Sequence, residues 1–251
     1  MLDYTQSLHR PGFNFENHSR NQSILSQEQI QKHFVKTGTT ICGLVCKDSV
    51  IIAADTRATQ NFVADKNCNK IHYIADNIVC CGAGTAADNY YHAKRLSSEL
   101  ELMKQNSGRE VKVSNLICRS STHLFNYMGQ IGAYQIYAGY DSDGPHLVQC
   151  DASGFVQYSP FLCMGSGSIN AYAELEHGYR DNMTTEEGMQ LAIKGITAGI
   201  IYDLGSGSNV DLMIITRQGR THLRNHLIVE QRRPEEGEPV KITPNNFVVL
   251  K

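Results

Sequence analysis

Thr37-Gly38-Thr39-Thr40-Ile41-Cys42-Gly43-Leu44-Val45-Cys46-Lys47-Asp48-Ser49-Val50-Ile51-Ile52-Ala53-Ala54-Asp55 is the stretch from which the fold is read. Ile41, Gly43 and Val45 alternate with Cys42, Leu44 and Cys46. All are small or apolar, which predicts a strand buried on both faces. Lys47-Asp48-Ser49 is a polar turn, and residues 50–55 form a second apolar run, so the two strands are expected to pair as a hairpin. Before residue 36 the chain is rich in Ser, Gln and Asn and has little periodicity.

Further along, residues 71–74 and 78–81 read as another strand pair joined by Ala75-Asp76-Asn77. Gly82-Ala83-Gly84 opens a helix in which Ala86, Ala87, Tyr90, Ala93, Leu96, Leu100 and Met103 recur at helical spacing. A second helix is expected over 114–128, with Leu116, Ile117, Leu124, Phe125 and Met128 on one side. Strands return at 133–139, 146–150 and near 155–158. A helix follows Gly165-Ser166-Gly167-Ser168. Thr184 with Glu187 is a capping box for another helix to about Tyr202, and residues 210–216 form a strand. Residues 232–239 are expected to be extended, and Phe247-Val248-Val249-Leu250 to add an edge strand or dock on a neighbour. Blocks of strands alternating with blocks of helices argue for an α+β layered fold, two stacked sheets inside two helix layers.

The composition narrows the function. Hydrophobic residues make up 41% and charged residues 19% of 251 residues, which is globular and enough for one or two domains. A net charge of −2 disfavours a nucleic-acid binder that works through bulk basic charge. There is no apolar run near the roughly 20 residues of a membrane helix and no secretory signal, so a soluble intracellular protein is expected. Eight dispersed cysteines without a CxxC pair predict reduced core thiols, and ten dispersed histidines without HExxH predict no metal site.

Several residues could carry chemistry. A threonine hydroxyl is a weak nucleophile unless a base activates it. A terminal threonine brings its own base, an α-amine titrating near 7.7–8.0. Thr39 would become terminal if the Gly38–Thr39 bond were cut, although Gly-Thr-Thr read alone is a strand entry. Asp55 with Arg57 at a strand end is either a structural ion pair or a pocket pair. Lys70 is either solvated or placed to favour ionisation of a nearby hydroxyl. Gly84 is a turn residue or a backbone N–H oxyanion donor. Asp203 and Ser206, three residues apart, can converge on one amine. The two Gly-Ser-Gly-Ser runs lack a Walker lysine and read as turns.

The motifs taken together carry a resemblance. Thr39-Thr40-Ile41, the run Ala53-Ala54-Asp55-Thr56-Arg57-Ala58-Thr59, the run from Ala64 through Lys70 to His72, Cys81-Gly82-Ala83-Gly84-Thr85-Ala86-Ala87-Asp88, Gly165-Ser166-Gly167-Ser168 and Asp203-Leu204-Gly205-Ser206-Gly207-Ser208-Asn209 resemble the proteasome β subunits. Within that family they are most similar to the eukaryotic trypsin-like type. Residues 12–17 resemble that type's propeptide.

The resemblance implies an N-terminal-nucleophile hydrolase with a four-layer αββα sandwich. It implies a propeptide over 1–38, a hydrolase domain over 39–224 and a C-terminal arm over 225–251. Thr39 is the implied nucleophile, with Asp55 and Lys70 tuning it. Ser166, Asp203 and Ser206 hold the amine and its water, and the Gly84 N–H is the oxyanion donor. Ala58, Asp65, Cys68, His72, Gly82, Ala86 and Tyr90 match the substrate pocket. No cofactor is implied. The implied partners are the α and β subunits of a 28-subunit barrel, a regulatory particle on the α rings, and unfolded or ubiquitinated substrates, in cytoplasm and nucleus. A non-catalytic ring subunit is the alternative; a stand-alone amidohydrolase is disfavoured by the propeptide and arm.

Three departures from the family pattern bear on this. The stretch between Thr59 and Asp65 is one residue shorter. Tyr90 stands where trypsin-like relatives carry an acid, so a weakened preference for basic residues, or a preference for bulky neutral ones, is expected. The arm ending at Lys251 is shorter than in relatives that wrap a neighbour, so reduced wrapping is expected.

Overall fold

The computed structural model describes residues 37–59 and 62–229. The propeptide-like motif at 12–17, the tail at 232–239 and the apolar run at 247–250 lie outside the described residues.

The opening hairpin forms as expected. Strand β1 (Ile41–Val45) pairs antiparallel with β2 (Ser49–Asp55), Ile41 opposite Ala54. Every residue of β2 is buried, because it is a central strand with a layer on each face. Two short strands, β3 (Ala58–Thr59) and β4 (Val63–Asp65), form a small separate ribbon. Then come β5 (Ile71–Ala75) and β6 (Ile78–Gly84), helices α1 (Ala86–Ser107) and α2 (Val113–Asn126), and strands β7 (Ala133–Asp141), β8 (Gly144–Cys150), β9 (Val156–Tyr158) and β10 (Phe161–Met164). Helices α3 (Ser168–Gly178) and α4 (Thr185–Tyr202) precede β11 (Asn209–Thr216) and β12 (Gly219–Ile228).

One sheet has the order β10-β1-β2-β11-β12, the other β5-β6-β7-β8-β9. Three apolar layers hold them. Ile41, Ile52, Ala54, Ile136, Ala138 and Met213 fill the space between the sheets. Leu96, Leu100, Leu116 and Leu124 seat α1 and α2 on the second sheet. Leu175, Leu191, Ile196 and Ile200 seat α3 and α4 on the first. The result is the expected αββα sandwich. The capping box also forms: Thr184 Oγ1 accepts from Glu187 N, and Thr184 N donates to Glu187 Oε2 at 2.9 Å.

The structure corrects several local expectations. The buried face of α1 is Asn89, His92, Ala93, Leu96 and Leu100, not the series beginning at Ala86, Ala87 and Tyr90, which are exposed. Asn89 and His92 are polar and escape a hydrophobicity pattern, yet both find partners inside. Asn89 Nδ2 donates to Ala83 O at 2.7 Å, and His92 Nε2 lies 3.0 Å from Ser120 Oγ. Phe125 and Met128 are exposed; α2 ends at Asn126 and Met128 takes φ 49°, which turns the chain out of the helix. Cys118 is exposed, so not every thiol is in the core, although all eight cysteines are free. Strands β10 and β12 were not expected. β10 has only four residues, and β12 is a polar edge strand with no apolar alternation.

A pH dependence follows from the α1–α2 contact. Burial lowers the His92 imidazole to about 4 from the usual 6.5. The unfolded chain therefore binds a proton that the folded chain refuses between those pH values, and stability rises with pH across that window. The drop in Tm between pH 7 and pH 5 is expected to be smaller in His92→Gln, which keeps an amide toward Ser120 without titrating. An equal drop in both proteins would contradict this assignment.

Candidate active site

The hairpin end, the loop before β5, the β10–α3 turn and the α4–β11 turn meet at Thr39. Thr39 is buried and lies just before β1. Its Oγ1 donates to its own preceding carbonyl, Gly38 O, at 2.7 Å. Lys70, at the end of the loop that enters β5, is also buried. Its ammonium has three donors and three acceptors here: Asp55 Oδ1 at 2.6 Å, Thr39 Oγ1 at 3.0 Å and Gly38 O at 3.2 Å. Each of the three ammonium protons thus has an acceptor.

Asp55 closes β2 and is fully buried. Burial is the larger influence and raises its carboxyl above the usual range; Lys70 and the N–H groups of Thr40 and Gly207 oppose that. Both oxygens are occupied. Oδ1 also accepts from Thr40 N at 3.0 Å, and Oδ2 accepts from Gly207 N at 3.1 Å and Arg57 N at 3.3 Å. This saturation makes a buried carboxylate tolerable.

A second cluster holds the Thr39 nitrogen. Thr39 N donates to Ser166 Oγ at 3.1 Å. Ser166 and Ser206 hydroxyls both donate to Asp203 Oδ2 at 2.6 Å. Thr40 Oγ1 lies 2.7 Å from Ser206 Oγ, and donor counting makes Thr40 the donor, since the Ser206 proton is committed to Asp203. Ser166, Asp203 and Ser206 are thus brought together beside the Thr39 nitrogen. Thr40 and Thr59 belong to the same framework and were missed. Thr59 Oγ1 accepts from Gly38 N at 3.1 Å and donates to Gly205 O at 3.0 Å. Thr59 sits in a two-residue strand and carries no local signal; Thr40 was hidden by its neighbour Thr39.

Two glycines are demanded by space. A Cβ on Gly38 would lie 2.3 Å from Gly205 Cα, so no larger residue fits before Thr39 without moving that backbone. Gly84 has φ 100°, and a Cβ there would lie 2.5 Å from Gly132 O. The Gly84 carbonyl accepts from Thr37 N at 3.3 Å and Thr37 Oγ1 at 3.2 Å. The end of β6 therefore grips the segment two residues before Thr39.

The expected pocket residues fall on neighbouring elements. Ala58 pairs with Asp65 across the β3–β4 ribbon. Cys68 is half-buried in the following loop, and burial raises its thiol. His72 lies on β5 and Gly82 on β6, where a Cβ would lie 2.6 Å from the Asn89 side chain. Ala86 starts α1 and Tyr90 lies one turn on. The His72 and Tyr90 rings make an edge contact at 6.1 Å, and burial lowers the imidazole, favouring neutral His72. Lys94 Nζ stands 5.7 Å from the Tyr90 ring centre. Asp65 is exposed and accepts from Asn67 N at 2.9 Å, within its own turn. Among the described residues no group of three or more His, Cys, Asp or Glu is arranged for a metal, and no helix is long and apolar enough to cross a membrane.

The four-layer sandwich with a threonine at the entry to β1 is the N-terminal-nucleophile hydrolase fold. The family model described as "Proteasome subunit" matches residues 35–215. The chain is 42% identical to proteasome subunit beta type-7-A of Arabidopsis thaliana over 240 residues, covering 95% of this chain and 88% of the relative. It is 45% identical to beta type-7 of Dictyostelium discoideum over 229 residues, 91% and 86% of the two chains. It is 41% identical to beta type-2 of Saccharomyces cerevisiae over 242 residues, 96% and 92%. The chain belongs to the proteasome subunit family, among its β-type members of the 2, 7 and 10 group.

Proposed function

We propose that this chain is a catalytic β subunit of the 20S core particle, a threonine endopeptidase that first cuts its own Gly38–Thr39 bond. One observation carries the reading: a single buried ammonium, Lys70 Nζ, touches Asp55, the Thr39 hydroxyl and the carbonyl of the bond to be cut. In self-cleavage Thr39 Oγ1 adds to the Gly38 carbonyl carbon while Lys70 withdraws charge from its oxygen. The hydroxyl proton that Thr39 Oγ1 gives up as it adds is relayed, through water at Ser166, to the Thr39 nitrogen as the C–N bond breaks, and an ester to Thr39 remains. Water hydrolyses that ester, leaving a Gly38 carboxylate and a free Thr39 α-amine. That amine, through water held by Ser166, Asp203 and Ser206, becomes the base for later turnovers. Substrate peptides then pass through the same acyl-enzyme, with the Gly84 N–H receiving the oxyanion.

The test is the intact mass and N-terminal sequence of the chain isolated from assembled particles. A chain starting at Thr39 is expected. A chain still starting near Met1 would favour the non-catalytic ring subunit. The partners on this reading are the α and β subunits of a 28-subunit barrel and, through its α rings, a regulatory particle. Unfolded or ubiquitinated proteins are the substrates, in cytoplasm and nucleus.

Cleavage preference follows from what lines the pocket region. Tyr90 supplies no charge, Lys94 stands beside it, and Asp65 is engaged in its own turn. Fluorogenic peptides ending in arginine are expected to show no strong advantage over those ending in leucine or tyrosine. Tyr90→Glu is expected to shift the ratio toward arginine by about 10-fold. A strong arginine preference in the unaltered protein would overturn this account of the pocket.

A further inference from the structure

We propose that Arg224 is a positioning residue of the Thr39 site, acting through Asn67 on the loop that delivers Lys70; this rests on the catalytic reading above. The starting observation is a second buried carboxylate. Asp211 on β11 is fully buried and follows Val210, which stands opposite Asp55 in the β2–β11 ladder. The β11–β12 ladder slips here. Leu212 faces Leu223 and Val210 faces Leu227, so residues 224–226 stand against Asp211 alone. Asn225 takes φ 51° in that bulge and donates its N–H to Asp211 Oδ1 at 2.7 Å. Arg224 Nη1 pairs with Asp211 Oδ2.

The other arm of the guanidinium reaches out of the sheet. Arg224 Nη2 donates to both Asn67 O and Asn67 Oδ1 at 2.9 Å. Asn67 is three residues before Lys70. The same loop is tied from the β2 side by Thr56, whose hydroxyl donates to Lys66 O at 2.9 Å and whose carbonyl accepts from Cys68 N at 2.8 Å. The loop is thus held at its middle by Arg224 and Thr56, and at its end by the Lys70–Asp55 pair. Lys70 must meet three acceptors at once, and a loop shift of about 1 Å misaligns it with Thr39. The planar fork serves Asp211 and Asn67 together. A lysine at 224 neutralises Asp211 as a point charge but cannot hold both.

The experiment uses assembled particles and reads Thr39-dependent peptide hydrolysis, the difference from Thr39→Ala particles. Arg224→Lys is expected to assemble and to lower kcat about 10-fold with KM nearly unchanged. Asn67→Ala leaves the Asp211 ion pair whole and is expected to lower kcat about 3-fold, since the backbone acceptor remains. The double variant is expected to be no worse than Arg224→Lys alone. Wild-type kcat in both single variants would overturn the proposal, as would additive losses. If Arg224→Lys fails to assemble, Asn67→Ala decides alone. Wild-type particles indistinguishable from Thr39→Ala ones would overturn the catalytic reading and this proposal with it, an outcome neither single variant can mimic.

Discussion

Thr39→Ala particles are expected to retain the leader on this chain and to lose its hydrolytic activity by a factor on the order of 10³ or more. Among the described residues the Thr39 hydroxyl is the nucleophile placed beside the Gly38 carbonyl, 2.7 Å from its oxygen. Its loss removes one of three acceptors of Lys70, but the Asp55 contact at 2.6 Å remains, so folding is expected to survive. Thr39→Ser keeps the hydroxyl and is expected to process. Intact mass reads processing directly, and peptide turnover reads the second step. A Thr39→Ala chain that still began at residue 39 in particles would mean that another group cuts the bond, and the self-cleavage step would have to be abandoned.

Lys70→Met is expected to cost both turnover and stability, for separable reasons. Turnover falls by about 10³-fold, because the hydroxyl and the developing oxyanion lose their cation. Stability falls by about 3–5 kcal/mol at neutral pH, because Asp55 is left as an uncompensated buried charge. Burial already raises the Asp55 carboxyl, and removing Lys70 raises it further. The native state of the variant then holds a proton that the unfolded chain has released, so its stability is present at low pH and lost as pH rises through the folded value. Melting temperatures of Lys70→Met particles are therefore expected to improve on mild acidification. The double variant Asp55→Asn/Lys70→Met is expected to recover much of the stability and none of the activity. Recovery of turnover in that double variant would remove Lys70 from the mechanism.

The candidate site was legible in unequal parts. Asp55 was visible as a charge ending an apolar strand, and the pairing of Asp203 with Ser206 as two polar groups three residues apart. Thr59 was not, because a hydroxyl in a two-residue strand has nothing local to distinguish it. The buried Asn89 and His92 were missed for a related reason. Hydrophobic spacing marks faces that need no partner, whereas these side chains are inside because Ala83 O and Ser120 Oγ receive them. Strand β12 escaped because an edge strand is exposed along much of its length and carries polar residues on both faces. That polar strand is also the source of Arg224.

By itself the sequence determined the β1–β2 hairpin, the helix begun by the Thr184–Glu187 box, and the alternation of strand and helix blocks. Those features rest on period, turn chemistry and caps, which act over a few residues. Only the tertiary structure decided that Lys70 spends its three protons on Asp55, Thr39 and Gly38, that Ser166 meets the Thr39 nitrogen across 127 residues, and that Arg224 reaches Asn67 across 157. Such meetings depend on which strands become neighbours and in what register. Residues far apart in the chain settle that order jointly, by burying their apolar faces together, and no short stretch contains it.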